Sequence, residues 1–274
     1  MSQKVVPMIH VPDVRATVNW YQSIGFTVLD TYSDDGDGLS FAMVSFGKSE
    51  VMFNEGGRPS SEHRREVDLY VYADDVDELY DSLKDRVEVV QELYDTFYGM
   101  REFIIRDCNR FWITFGQPSA FQVLVTGIRE SDPEVVRGAL ERGSLKPDTL
   151  TVALAVASTA ESVNVQIVEL LEKAGAVPPP QIGADILKSF VGKYKSEHGS
   201  EVNVTLAAGK LFVAWFSGQT PVSLIPVNDN TFRPVTFDDV TLTFRSDAGQ
   251  TVGFELKQGP ETMKYTRLED NKQP

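Results

Sequence analysis

A mostly apolar run over residues 4–11 reads as a strand, and a helical period follows it. Val14, Val18 and Tyr21 fall on one helical face, with Asp13 placed to cap it and Gly25 to end it. A second strand is read over 26–32, and an acidic, glycine-rich loop follows at 33–38. Strands at 39–46 and 50–54 turn back on each other around Gly47 and Lys48. After a polar linker at 56–65, expected to be mobile, the same order repeats. It gives a strand at 67–72, a helix at 75–84, and strands at 87–91, 100–106 and 111–115. Asp13-Val14 and Asp75-Val76 open the two helices 62 residues apart. The first 118 residues therefore read as one β-α-β-β-β module used twice, and two facing half-barrels make a cleft.

Residues 119–180 change character. Ser131-Asp132 and Pro133 start a helix with an apolar stripe at Val135-Val136 and Ala139-Leu140. A small-residue helix spans 149–157, and Ile167-Val168 with Leu170-Leu171 mark another, closed by Gly175. Val136 and Val168 are 32 residues apart, as are Gly143 and Gly175, close to the ankyrin period of about 33. Pro178-Pro179-Pro180 is a stiff linker. Beyond it, a short amphipathic helix at 184–190 precedes alternating segments at 203–206, 211–215, 222–226, 231–234, 240–245, 251–257 and 262–267. Short strands divided by Gly, Asn and Asp turns predict a small antiparallel barrel or sandwich. The fold class is α+β, with domains expected at 1–118, 119–180 and 183–270.

Charge narrows the partners. Of a net −14, residues 1–118 carry −10. Nucleic acid is disfavoured, because phosphate binding needs basic stripes. A cationic ligand would be drawn in, although acidity also serves plain solubility. No apolar run approaches the roughly 18 residues of a membrane span, and no leader pattern opens the sequence. The lone Cys108 fits a reducing cytoplasm and has no base beside it.

The first 118 residues resemble the vicinal oxygen chelate superfamily of glyoxalases and extradiol dioxygenases, and most of all its bleomycin-resistance branch. The resemblance rests on V-P-M-I-H-V-P-D-V (6–14), W-Y-Q-S-I-G-F (20–26), S-E-V-M-F-N-E (49–55), V-D-L-Y-V-Y-A-D-D-V-D (67–77) and Y-G-M-R-E-F (98–103). The middle segment resembles a degenerate ankyrin pair through K-P-D-T-L-T-V-A (146–153). The last, from F-V-G-K-Y (190–194) onward, is similar to the lipocalin-like barrel appended to serine hydrolases.

Metal-dependent members of the superfamily hold a divalent ion with His and Glu from four strands. Counting from the helix-starting Asp puts Val6, Val51 or Met52, Asp68 and Thr114 at those places. Val and Met do not bind a hard cation, so no metal or other cofactor is expected. His10, His63 and His198 are too dispersed to replace the set. The bleomycin-resistance resemblance implies a homodimer that captures a flat cationic molecule between chains, without chemistry. Phe41, Met43, Met52, Tyr70, Tyr98, Met100, Phe103 and Trp112 are candidates for an apolar wall, with strand register deciding which point inward. The ligand-binding residues expected are Phe41, Met52, Asp68, Tyr98, Arg101, Glu102 and Trp112, with no catalytic residue assigned. Arg101 and Glu102 are adjacent on a strand and so take opposite faces. Competing readings are a metal-free lyase or isomerase with Asp68 or Glu102 as base, and a scaffold that docks a protein on the ankyrin-like segment. Ser45-Phe46-Gly47-Lys48 spells S-x-x-K in a turn and lacks its companion motifs.

Overall fold

The computed structural model describes residues 5–33, 38–63, 65–142, 145–160, 162–215 and 220–268. Gly143 and most of the acidic loop at 33–38 lie outside them. The chain divides into two compact units, Met1–Asp95 with Arg101–Gln117 and Thr96–Met100 with Pro118–Pro274.

The first unit contains both modules. Module one runs β1 (Met8–His10), α1 (Val14–Ser23), β2 (Thr27–Tyr32), β3 (Phe41–Phe46) and β4 (Ser49–Asn54). Module two runs β5 (Asp68–Tyr72), α2 (Val76–Leu83), β6 (Glu88–Asp95), β7 (Met100–Arg106) and β8 (Trp112–Pro118). Their sheets have the same order, β1-β4-β3-β2 and β5-β8-β7-β6, with the first pair parallel in each. The repeat extends to single contacts. The Asp13 carboxylate accepts from the Ala16 amide at 2.9 Å, and that of Asp75 accepts from Glu78 at 3.0 Å. Each cap satisfies an amide that the helix leaves without an internal partner.

One apolar core serves both modules. Tyr21, Phe53, Phe103, Ile113 and Phe115 are buried in it. Phe103 is therefore core rather than cleft wall: it stacks on Phe115 at 5.2 Å and meets Tyr80 of α2 edge-on. The Tyr21 hydroxyl crosses between modules and donates to Asp107 at 3.0 Å. The linker is pinned rather than loose. Arg110 donates to the Glu62 carbonyl at 2.5 Å, Arg65 lies 4.6 Å over Phe111, and Gly57 donates to the Val11 carbonyl at 3.1 Å. A Cβ at Gly57 would come within 2.3 Å of the His10 carbonyl oxygen, so only glycine fits there.

The second unit joins helices to a barrel. Its helices are α3 (Ala120–Glu130), α4 (Pro133–Arg142), α5 (Pro147–Ser158), α6 (Val165–Lys173) and the short α7 (Ala184–Ser189). The strands are β9 (Gly192–Ser196), β10 (Glu201–Ala207), β11 (Lys210–Ala214), β12 (Val222–Pro226), β13 (Thr231–Pro234), β14 (Val240–Asp247), β15 (Gln250–Gln258) and β16 (Glu261–Arg267). They form a closed antiparallel barrel, with β9 pairing both β10 and β16. Aromatic rings fill the lumen: Phe190 stacks on Phe244 at 4.3 Å and Phe254 on Tyr265 at 4.6 Å.

Phe121, Val125, Val152 and Ala155 of the helices pack with Ile225 of the barrel. Fully buried Arg233 on β13 reaches Asp148 at 3.0 Å, Asp238 at 2.5 Å and the Thr149 hydroxyl at 2.8 Å. Among the described residues no helix is long and apolar enough to cross a membrane.

Candidate functional site

Helices cover one face of each module's sheet, and the other is open. On β5 the burial alternates, so Leu69 and Val71 enter the core while Asp68, Tyr70 and Tyr72 face out. Tyr70 is 43 % exposed and Tyr72 74 %, their rings 5.0 Å apart. These are large apolar surfaces to leave in water.

Glu102 of β7 lies on the same open side, yet only 2 % of it is exposed. The Tyr70 hydroxyl donates to its Oε1 at 2.6 Å, and the Tyr94 hydroxyl to its Oε2 at 3.3 Å. A buried carboxylate is costly unless it is hydrogen-bonded, and here both oxygens accept. Two features make the arrangement fit. The β6–β7 ladder shifts register between Val89 and Gln91 and again between Gln91 and Tyr94. The register of Val89 with Ile105, if continued, would set Glu102 against Glu92; the two shifts set Tyr94 there instead. Gly116 supplies the space, since a Cβ there would stand 2.2 Å from the Tyr70 hydroxyl and 3.3 Å from Glu102 Cγ.

Of the other expected residues, Trp112 pairs in register with Asp68 on the β5–β8 ladder. His63 of the linker meets the Trp112 ring edge-on at 6.3 Å and lies 3.3 Å from Arg106. Arg101 takes the face opposite Glu102. Its guanidinium binds both Asp77 oxygens on α2, at 2.7 and 2.8 Å, and Asp95 at 3.1 Å. That grip holds the Asp77 carboxyl below its ordinary range. Phe41 and Met52 belong to the first sheet, and Tyr98 to the turn between β6 and β7, edge-on to Phe97. The structure thus joins Glu102 to Tyr70 and Asp68 to Trp112, and leaves Arg101 and Tyr98 apart from them.

Sequence counting missed Tyr94, Tyr72 and Gly116. Alternation from Asp68 would have found Tyr72. Tyr94 carries no such signal, because two register shifts precede it.

The superfamily's metal positions can be checked by pairing rather than by counting. Met8 pairs with Met52, and 62 residues on, Tyr70 pairs with Thr114. The row that contains Met52 and Thr114 is therefore completed by Met8 and Tyr70, not by Val6 and Asp68. Met43 extends it, opposite Met52. Three thioethers, a phenol and a secondary alcohol do not fit a hard divalent ion. Among the described residues no three His, Cys, Asp or Glu side chains gather as a metal set.

Cys108 is exposed as a residue. Burial of its thiol, helped by the neighbouring Asp107 carboxylate, pushes it up to about 12. The thiol is protonated at neutral pH and a poor nucleophile.

Residues 5–115 match the model of the Glyoxalase/Bleomycin resistance protein/Dioxygenase superfamily and form a domain of that superfamily. No curated protein matches the chain. Among solved structures, the chain is similar to TioX from Micromonospora sp. ML1, at 24 % identity and TM-score 0.36 over 43 % of this chain and 99 % of that one. It is also similar to the fosfomycin resistance protein FosX from Listeria monocytogenes, at 17 % identity and TM-score 0.37 over 43 % and 95 %. A bleomycin resistance determinant encoded on the transposon Tn5 is similar at 16 % identity and TM-score 0.35 over 43 % and 98 %.

Proposed function

We propose, taking the superfamily domain over residues 5–115 as the premise, that this domain captures a flat, cationic aromatic molecule without chemical change. The observation that carries the reading is the buried Glu102 carboxylate, held by Tyr70 and Tyr94, with the Tyr70 and Tyr72 rings exposed on β5. The rings offer stacking surface, worth roughly 0.5–2 kcal/mol per cation contact, and the carboxylate supplies the opposite charge. Asp68 and Trp112 extend the surface along β5 and β8. Met8, Met52 and Met43 give the first sheet a row of deformable thioethers suited to aromatic rings. Homodimer pairing, with each chain lending an open sheet face to a shared cleft, belongs to the same reading.

Titration of the purified protein with bleomycin and simpler cationic aromatics tests it. Saturable heat or fluorescence change is expected, and its absence across the series would end the proposal for this class. Sedimentation in the same buffer tests the pairing.

The burial of Glu102 also favours a second reading, a metal-free proton transfer with Glu102 as general base. Ligand recovered unchanged after prolonged incubation supports capture; solvent deuterium in the recovered ligand supports the base.

A further inference from the structure

The second unit contains a cavity of about 330 Å³ that the N-terminal domain's binding face does not explain. Leu187, Leu211, Leu224 and Phe232 of its lining also belong to the barrel's apolar core. Leu154 of α5, Leu187 of α7 and Leu224 and Phe232 of the barrel line it, and all four are buried. Pro178, Pro179 and Pro180 form one wall. A run of three prolines is a stiff extended strut with fixed φ and no N–H to donate, so this wall does not collapse inward to fill the space. The lining also includes apolar Ile182, Leu211 and Ile225, together with polar Ser158, Thr159 and Gln181. The volume falls at the lower end of small-molecule pockets, roughly 300–1,000 Å³.

Charge decides the class of ligand. Glu172 and Lys210 both line the cavity, and both are exposed. One carboxylate and one ammonium cancel, so the site gives no ionic preference, while Ser158, Thr159 and Gln181 offer neutral hydrogen bonds. The geometry points to a second ligand site here, for a neutral, largely apolar molecule with one hydrogen-bonding head. Its ligand thus differs in charge from the cation proposed for Glu102.

The test uses the full chain and N-phenyl-1-naphthylamine, a neutral apolar dye that brightens on leaving water. Saturable brightening at one dye per chain is expected, with decanol displacing the dye at lower concentration than decanoate or decylammonium. Ser158→Trp and Gln181→Trp each place an indole in the cavity from an exposed position. Each should weaken dye binding about tenfold, or 1.4 kcal/mol, with far-UV circular dichroism unchanged. No saturable brightening overturns the proposal, as does unchanged dye affinity in both variants. Displacement by decanoate or decylammonium as effective as by decanol overturns the neutral class.

Discussion

Tyr94 stands opposite Glu102 because the β6–β7 ladder slips twice, by one residue each time. A carboxylate that would have faced Glu92 faces a phenol instead. Glu102→Gln keeps the size and an acceptor for a tyrosine hydroxyl but removes the charge. A bound cation should lose about tenfold in affinity or more, since hydrogen bonds to charged groups are worth about 1.5–3 kcal/mol. A neutral aromatic of the same shape should bind unchanged. Calorimetry with the matched pair checks this, and equal losses for both ligands would remove charge from the explanation.

Gly116 is the other half of that geometry. Gly116→Ala would place a methyl group 2.2 Å from the Tyr70 hydroxyl and 2.8 Å from its ring carbon. Tyr70 must swing away and release Glu102. Binding should fall as far as in Tyr70→Ala, at a stability cost of about 1–3 kcal/mol. Urea titration beside ligand titration separates the two effects.

Asp107 joins the modules through Tyr21 and also accepts from the amides of Asn109 and Phe111 at 2.8 Å each. Burial raises its carboxyl above the ordinary range, and those hydrogen bonds only partly offset it. The folded state then holds this proton more tightly than the unfolded chain does. Its contribution to stability is present in acid and lost as pH rises through the raised value. The difference in unfolding free energy between the native protein and Asp107→Asn should therefore shrink steadily from acid toward neutral pH. A difference that grows with pH would contradict this.

Arg233 ties α5 to β13 through Asp148, Thr149 and Asp238. Asp148 and Asp238 stay partly exposed, so losing the Arg233 charge should cost less than the roughly 3–5 kcal/mol of a fully buried pair. Arg233→Met should destabilise helices and barrel together. Far-UV signal from the helices and near-UV signal from the lumen aromatics should keep one shared urea midpoint, shifted down.

The helix caps were legible because Asp13 and Asp75 act on amides three residues away. Most barrel strands were legible from alternation, but β9 was not, since G-K-Y-K-S offers one apolar ring in five residues. The pinned linker was hidden for a different reason: its anchor Arg110 is 48 residues from Glu62. The Glu102 cluster was hidden by register, which depends on bulges that hydrophobic pattern does not encode. Counting back from the cap put Val6 and Asp68 in a row with Met52 and Thr114, whereas strand pairing puts Met8 and Tyr70 there, two residues further on, because counting ignores how the strand pairs.

Strand margins differ between the two units. Every barrel strand has two neighbours, so among the described residues the barrel has no open edge strand for another chain to extend. The two open sheets do have outer strands, and β2 and β6 are both irregular, one between Val28 and Asp30 and the other at two places. Such kinks make poor templates for fibril growth. The distortion that shapes the Glu102 cluster thus also keeps that margin of the sheet from recruiting further chains.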